Sequence, residues 1–185
     1  VFITGHTGFK GSWLAYLLYK SGADVTGFAL SPESPRSHFN LINLENNISH
    51  IIGDIRDKEL IFEVIKKSKP DVVFHLAAQA LVKSSYLDPV DTFLTNFVGS
   101  LNVLEAIKHS ETVRSLVYIT SDKCYENIES PIGYKETDRL GGRDPYSASK
   151  AAAEILFSCY ARSFFKDKLL LGSASVRAGN VIGGG

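Results

Sequence analysis

Three glycines at positions 5, 8 and 11 stand between the apolar run Val1-Phe2-Ile3 and the apolar-rich stretch from Trp13 to Ala23, and they constrain this chain more than any other feature. The β-favouring triplet reads as the end of a buried strand, while Trp13, Leu14, Tyr16, Leu17 and Leu18 recur at helical spacing. The glycines therefore occupy a strand-to-helix turn. There Gly5 permits the bend, Gly8 lets the main chain approach a ligand without an intervening Cβ, and Gly11 lets the helix, read as beginning there, pack close to the sheet. The free N–H groups at the helix start then face a pyrophosphate. G-x-x-G-x-x-G also occurs in plain turns and differs from the commoner G-x-G-x-x-G, so it is the strand-turn-helix context that carries the dinucleotide reading.

The rest of the chain continues the alternation. Strands are expected in DVTGFAL (24–30), in SHII running to Gly53 and Asp54, in PDVVFHLAA (70–78), in VRSLVYITS (113–121) and in LLLGSASVRAGNV (169–181). Helices are expected in 58–69 behind a cap at Asp57, from about Pro89 to His109, and in 144–165. The Ser- and Pro-rich segment SPESPRS (31–37) reads as a loop after the second strand. Connections this long exclude hairpins and require a parallel, doubly wound α/β sheet, in which ligands bind outside the carboxyl ends of the strands.

Composition narrows the function classes. Of 185 residues, 44% are hydrophobic, enough for one core of ordinary domain size. Lys plus Arg (20) balance Asp plus Glu (20), which leaves no basic field for a nucleic acid. The apolar runs are too short to cross a membrane, and no signal-peptide pattern is present, so a soluble cytoplasmic protein is expected. Cys124 and Cys159 lie far apart with no histidine cluster nearby, which implies free thiols and no metal site. The chain begins inside a strand and stops in NVIGGG, so it reads as part of a longer one.

YSASK carries the chemistry. Tyr146 and Lys150, four apart after the helix-starting Pro145, share one helix face. An ammonium beside a phenol favours the phenolate and brings its proton affinity toward use as a neutral-pH base. TSD, ending the fifth strand 25 residues before Tyr146, supplies Ser121 and Asp122. Asp54, after the third strand, suits the adenine end of a dinucleotide through its carboxylate or neighbouring amides, or else begins a helix; His75 reads as a packed, hydrogen-bonded histidine.

Together GHTGFKG, GDIRD, HLAAQ, TSDKCY, YSASK and SVRAGNVIGGG resemble the extended short-chain dehydrogenase/reductase family and, within it, the nucleotide-sugar 4,6-dehydratases, nearest the branch acting on CDP-glucose. The resemblance runs from Val1 to Gly185 and implies a Rossmann-like domain that binds NAD, with the substrate-binding part expected beyond residue 185. It implies cofactor contacts from Gly5, Thr7, Gly8, Phe9, Gly11, Asp54, Ile55, Leu76, Ala77, Ala78, Tyr146 and Lys150, and substrate contacts from Gln79, Ser121 and Asn180; turn and loop hydrogen bonding is the competing use of Gln79 and Asn180. Tyr146 is implied to take the sugar 4-hydroxyl proton, Lys150 to hold the nicotinamide ribose, and Ser121 to bond the same sugar oxygen. The resemblance implies that C4 then gives its hydride to NAD and that the ketone so formed acidifies C5. Asp122 is implied to protonate the departing C6 hydroxyl. Lys123 stands where dTDP-sugar relatives carry Glu, so it either removes the C5 proton or holds a substrate or enolate oxygen. The second strand ends without the usual acid for the ribose hydroxyls, and Arg36 is close enough in sequence to meet a 2′-phosphate, which would suit NADP; the resemblance favours NAD. A homo-oligomer, dimer or tetramer, and a place in deoxysugar biosynthesis for lipopolysaccharide O-antigen are further implications. An epimerase of the same family and a non-catalytic dinucleotide sensor remain the alternatives.

Overall fold

Phe2 and Ile3 are both fully buried, yet they face opposite layers of the molecule, as neighbours on a strand covered on both sides must. A computed structural model describes residues 1–168 and 171–184. The first two positions expected in the sixth strand, 169 and 170, and the final glycine of the resemblance, 185, lie outside the described residues. Strands β1 (Phe2–Thr4), β2 (Thr26–Ala29), β3 (Ser49–Ile52), β4 (Val72–His75), β5 (Ser115–Ser121) and β6 (Gly172–Ala178) form one sheet in the order β3-β2-β1-β4-β5-β6, with every pairing parallel. The order reverses direction between β1 and β4, which opens a crevice beyond their carboxyl ends. The doubly wound expectation holds.

Helices α1 (Phe9–Lys20) and α2 (His38–Leu41) cover one face, where Ile3, Ala15, Val25, Phe39 and Leu44 pack together. Helices α3 (Lys58–Ser68), α6 (Ser100–His109) and α7 (Pro145–Tyr160) cover the other around Phe2, Phe28, Ile61, Leu104, Leu116 and Phe157. Asp57 caps α3 by accepting from the Leu60 N–H at 3.0 Å, and Asp144 caps α7 with Pro145 in its first turn.

The single helix expected from Pro89 to His109 is interrupted. Helix α5 (Pro89–Phe93), preceded by a short α4 (Val82–Leu87), runs through a wide π-type turn at Leu94–Gly99 before α6. The turn places Asn96 in the interior, 1% exposed, and sets Gly99 against Ile55, where an added Cβ would lie 2.6 Å from the isoleucine side chain. No helix among the described residues is long and apolar enough to cross a membrane, and none of their His, Cys, Asp and Glu side chains form a group of three that could hold a metal ion.

Candidate active site

The glycine turn forms the crevice floor. Gly5 adopts φ +78°, and a Cβ there would lie 2.8 Å from the Ala77 nitrogen, so both conformation and proximity require glycine. Helix α1 begins at Phe9 with Gly8 as its cap, two residues before the expected start at Gly11. Gly11 presses on the turn rather than on the sheet, since its Cβ would fall 2.1 Å from the Gly5 carbonyl oxygen. Gly8 is different: its φ is an ordinary −76° and its Cβ would meet only the Gly5 oxygen, at 3.4 Å. The fold itself leaves room at Gly8. No side chain caps α1 and no acid sits in its first turn, so its leading N–H groups suit an anion. Thr7 donates to the Leu30 carbonyl at 2.9 Å, and Phe9 and Trp13 meet the returning segment after β6, Trp13 by donating to the Gly184 carbonyl at 2.7 Å.

Beyond β4, the Leu76 and Ala77 N–H groups donate to Thr4 Oγ1 at 3.1 and 3.2 Å, which holds this segment against Gly5. His75 is buried between Thr4 and Ser100, at 2.7 and 2.9 Å, as a packed histidine; burial, then the Lys150 charge, pushes its pKa down to about 3. Asp54 accepts from Arg56, side chain to side chain at 2.6 Å, and Arg56 also reaches Asp91 at 2.5 Å. The Asp54 carboxylate is thus held by Arg56, whose hydrogen bonds lower its pKa against the opposing effect of burial. Buried Ile55 packs on Gly99.

Tyr146, in the first turn of α7, and Lys150, one turn later, are 8% and 7% exposed. The Lys150 ammonium stands 5.9 Å from the centroid of the Tyr146 ring. Burial, aided by the charge of Lys10, brings Lys150 down to about 8. Burial moves Tyr146 upward, opposed by the Ser121 hydroxyl, so the phenol is not brought down as the spacing alone suggested: the ammonium lies over its ring. Ser121 ends β5 and caps a tight turn at Asp122–Cys124, accepting from the Lys123 N–H at 3.2 Å and donating to Asp122 Oδ1 at 3.1 Å. Lys123 Nζ lies 3.4 Å from Asp122 Oδ2, and both side chains are substantially exposed. The first part of α7 packs against the Asp122–Cys124 turn that follows β5, so Tyr146 stands at the same end of the sheet as these residues; the Ser121 hydroxyl and the Lys123 charge oppose the rise in its pKa, and the Asp122 charge adds to it.

Gln79 is already engaged: its amide donates to Thr92 Oγ1 at 2.9 Å and its carbonyl oxygen accepts from the Leu81 N–H at 2.5 Å. Asn180 is exposed two residues past Ala178, the register partner of Ser121. Ala78 lies between the Thr4-bound Ala77 and Gln79.

Two features escaped the sequence reading. Asn96 accepts from the Gln79 N–H at 2.8 Å and donates to the Gln79 carbonyl and to Ser149 Oγ, at 3.0 and 2.8 Å, linking the loop after β4 to α7. Its signal is the polar row Thr92, Asn96 and Ser100, four apart beside the apolar stripe and all buried. Glu154, 3% exposed, lies one turn past Lys150 and holds Arg177 of β6 at 2.8 Å.

The sequence profile described as GDP-mannose 4,6 dehydratase matches residues 2–168. CDP-glucose 4,6-dehydratase of Salmonella typhimurium is 48% identical over 189 residues, covering 100% of this chain and 53% of that protein. CDP-paratose 2-epimerase of Salmonella typhi is 31% identical, covering 96% of this chain and 57% of its own length. Thus the chain spans about half the length of the curated relatives it matches. Among solved structures, Thermus thermophilus UDP-glucose 4-epimerase in complex with NAD superposes with a TM-score of 0.82 at 32% identity, covering 95% of this chain and 53% of that one. With its parallel sheet, its glycine turn and its Tyr146–Lys150 pair beside Ser121, the chain belongs to the GDP-mannose 4,6-dehydratase family of extended short-chain dehydrogenase/reductases.

Proposed function

We propose that this chain is the NAD-binding half of a cytoplasmic nucleotide-sugar 4,6-dehydratase that converts CDP-glucose to its 4-keto-6-deoxy product, with the substrate-recognising part beyond residue 185. The observation that carries the reading is the Asp122–Lys123 pair immediately after Ser121, at the same sheet end as Tyr146. The crevice suits NAD: the space at Gly8 and the uncapped start of α1 fit a pyrophosphate, and the buried Lys150 ammonium fits a ribose hydroxyl. Bound NAD would supply the acceptor and later the donor of a hydride. Tyr146 takes the sugar 4-hydroxyl proton and Ser121 holds that oxygen. Asp122 protonates the departing 6-hydroxyl, and Lys123 removes the C5 proton or steadies the enolate oxygen that its removal creates. Leu76, Ala77 and Ala78 give the cofactor a wall of mostly small side chains, and Asn180 meets the substrate. The Gln79 side chain supports that wall before it can serve substrate.

The 48% identity to a CDP-glucose 4,6-dehydratase supports CDP as the nucleotide. A second reading, an epimerase, draws on the epimerases among the relatives, but epimerisation requires no acid for a C6 hydroxyl. A homo-oligomer, dimer or tetramer, is part of the proposal. Reaction of the full-length protein with NAD and CDP-glucose in deuterium oxide tests the reading. A dehydratase yields a product lighter by one water and labelled at C5; a product of unchanged elemental composition without C5 label identifies the epimerase.

A further inference from the structure

Helix α7 carries a third functional group on the face that bears Tyr146 and Lys150. Glu154 comes after them at helical spacing, and its buried carboxylate accepts from Thr120 Oγ1, from Ser175 Oγ at 3.1 Å and from Arg177 Nη2 at 2.8 Å. Thr120 immediately precedes Ser121 and is the register partner of Arg177. One carboxylate thus ties α7 to both strands where the Asp122–Lys123 turn begins.

Arg177 extends the connection in two further directions. Its Nη1 donates to the Glu136 carbonyl at 3.2 Å, and its guanidinium carbon lies 4.8 Å from the centroid of the Tyr125 ring. Tyr125 in turn stacks on Tyr134 at 5.2 Å and bridges to Leu140. The segment that leaves the Asp122–Lys123 turn is therefore held by the same planar cation that grips Glu154. A buried ion pair is a weak source of stability compared with apolar packing, whereas a rigid guanidinium fork fixes several partners at set angles.

We propose that Glu154 and Arg177 are positioning residues that set the Ser121–Lys123 turn against Tyr146 for the elimination step, a proposal that rests on the dehydratase reading above. Arg177→Lys in the full-length protein separates this from a plain structural role, because lysine keeps a charge for Glu154 but loses the fork to Glu136 and the stack on Tyr125. The expected result is an unchanged NAD affinity and an unchanged KM for CDP-glucose, with kcat for dehydration lower by about ten- to a hundredfold. Amide exchange across residues 125–140 should accelerate while α1 and the glycine turn keep their parental rates. Where Arg177→Lys is too unstable to assay, Glu154→Gln, which keeps an oxygen for Thr120, should give the same split. Parental kcat together with parental exchange overturns the proposal. So does a rise in KM at constant kcat, or a loss of NAD affinity in step with activity. If the parent protein dehydrates no nucleotide-glucose, the functional reading fails, and the amide exchange of residues 125–140 still decides whether the clamp exists.

Discussion

Burial moves the two partners of the Tyr146–Lys150 pair in opposite directions, and their protonation can be read separately. Lys150, brought down to about 8, keeps its charge at neutral pH and loses it as pH rises through that value. A ribose hydroxyl that accepts from the Lys150 ammonium favours the charged form, so NAD binding should take up a proton above pH 8 and weaken as pH rises from about 7 to 9. Titration calorimetry in buffers of different ionisation enthalpy checks this: Lys150→Met should bind more weakly with a flatter profile, and a flat profile in the parent protein contradicts it. Tyr146→Phe keeps the ring and deletes the proton acceptor, so NAD affinity should persist while turnover falls by at least about a hundredfold. Stopped-flow and binding measurements on the one variant settle both halves. Lys123→Met and Asp122→Asn are told apart by solvent deuterium at C5. If Lys123 is the base, its variant blocks exchange, whereas Asp122→Asn loses the acid and still exchanges. Parental exchange in Lys123→Met assigns the base to another group.

At the scale of elements, the glycine turn makes a paired prediction. Gly11→Ala drives a Cβ onto the Gly5 carbonyl, where backbone must move, and should cost about 1–3 kcal/mol in chemical denaturation. Gly8→Leu meets no such obstacle and should leave the unfolding midpoint nearly unchanged while weakening NAD binding. A Gly8→Leu variant that binds NAD as tightly as the parent removes the phosphate cradle. The strands were legible because short apolar runs such as VVF and LVYI lie between turn residues, and Asp57 and Pro145 announced the starts of α3 and α7. The break after α5 was not legible, because Phe93, Phe97, Leu101 and Leu104 continue one apolar stripe straight through it. The wide turn brings Asn96 inward to Gln79 and Ser149, partners from distant elements that the local pattern does not show. Helices α2 and α4 are too short to show a period. Tyr146, Lys150 and Ser121 could be read as one cluster from helix spacing and a strand end, but Glu154 and Arg177 lie 23 residues apart and meet only where β6 pairs with β5 under α7.

For the whole molecule, acid stability depends on histidines that the fold keeps neutral. His75 and His6 are pushed from 6.5 to about 3 and about 4, by burial first and then by the Lys150 and His50 charges respectively. Above pH 6.5 both states hold these rings neutral and no stability is lost. Below it the unfolded chain binds protons that the folded chain refuses, so stability falls as pH drops toward 4, at a slope on the order of 2 kcal/mol per pH unit. Urea unfolding between pH 7 and 5 checks the slope, and His6→Asn should reduce it; a midpoint independent of pH over that range contradicts the account. The central claim joins the Asp122–Lys123 pair to dehydration of a CDP-sugar, and product analysis of the full-length protein with NAD and, separately, CDP-, dTDP-, GDP- and UDP-glucose tests it most directly. The account predicts loss of water and a 4-keto-6-deoxy sugar from CDP-glucose in strong preference to the others; sugar epimers without loss of water, or no reaction with any of the four, would contradict it.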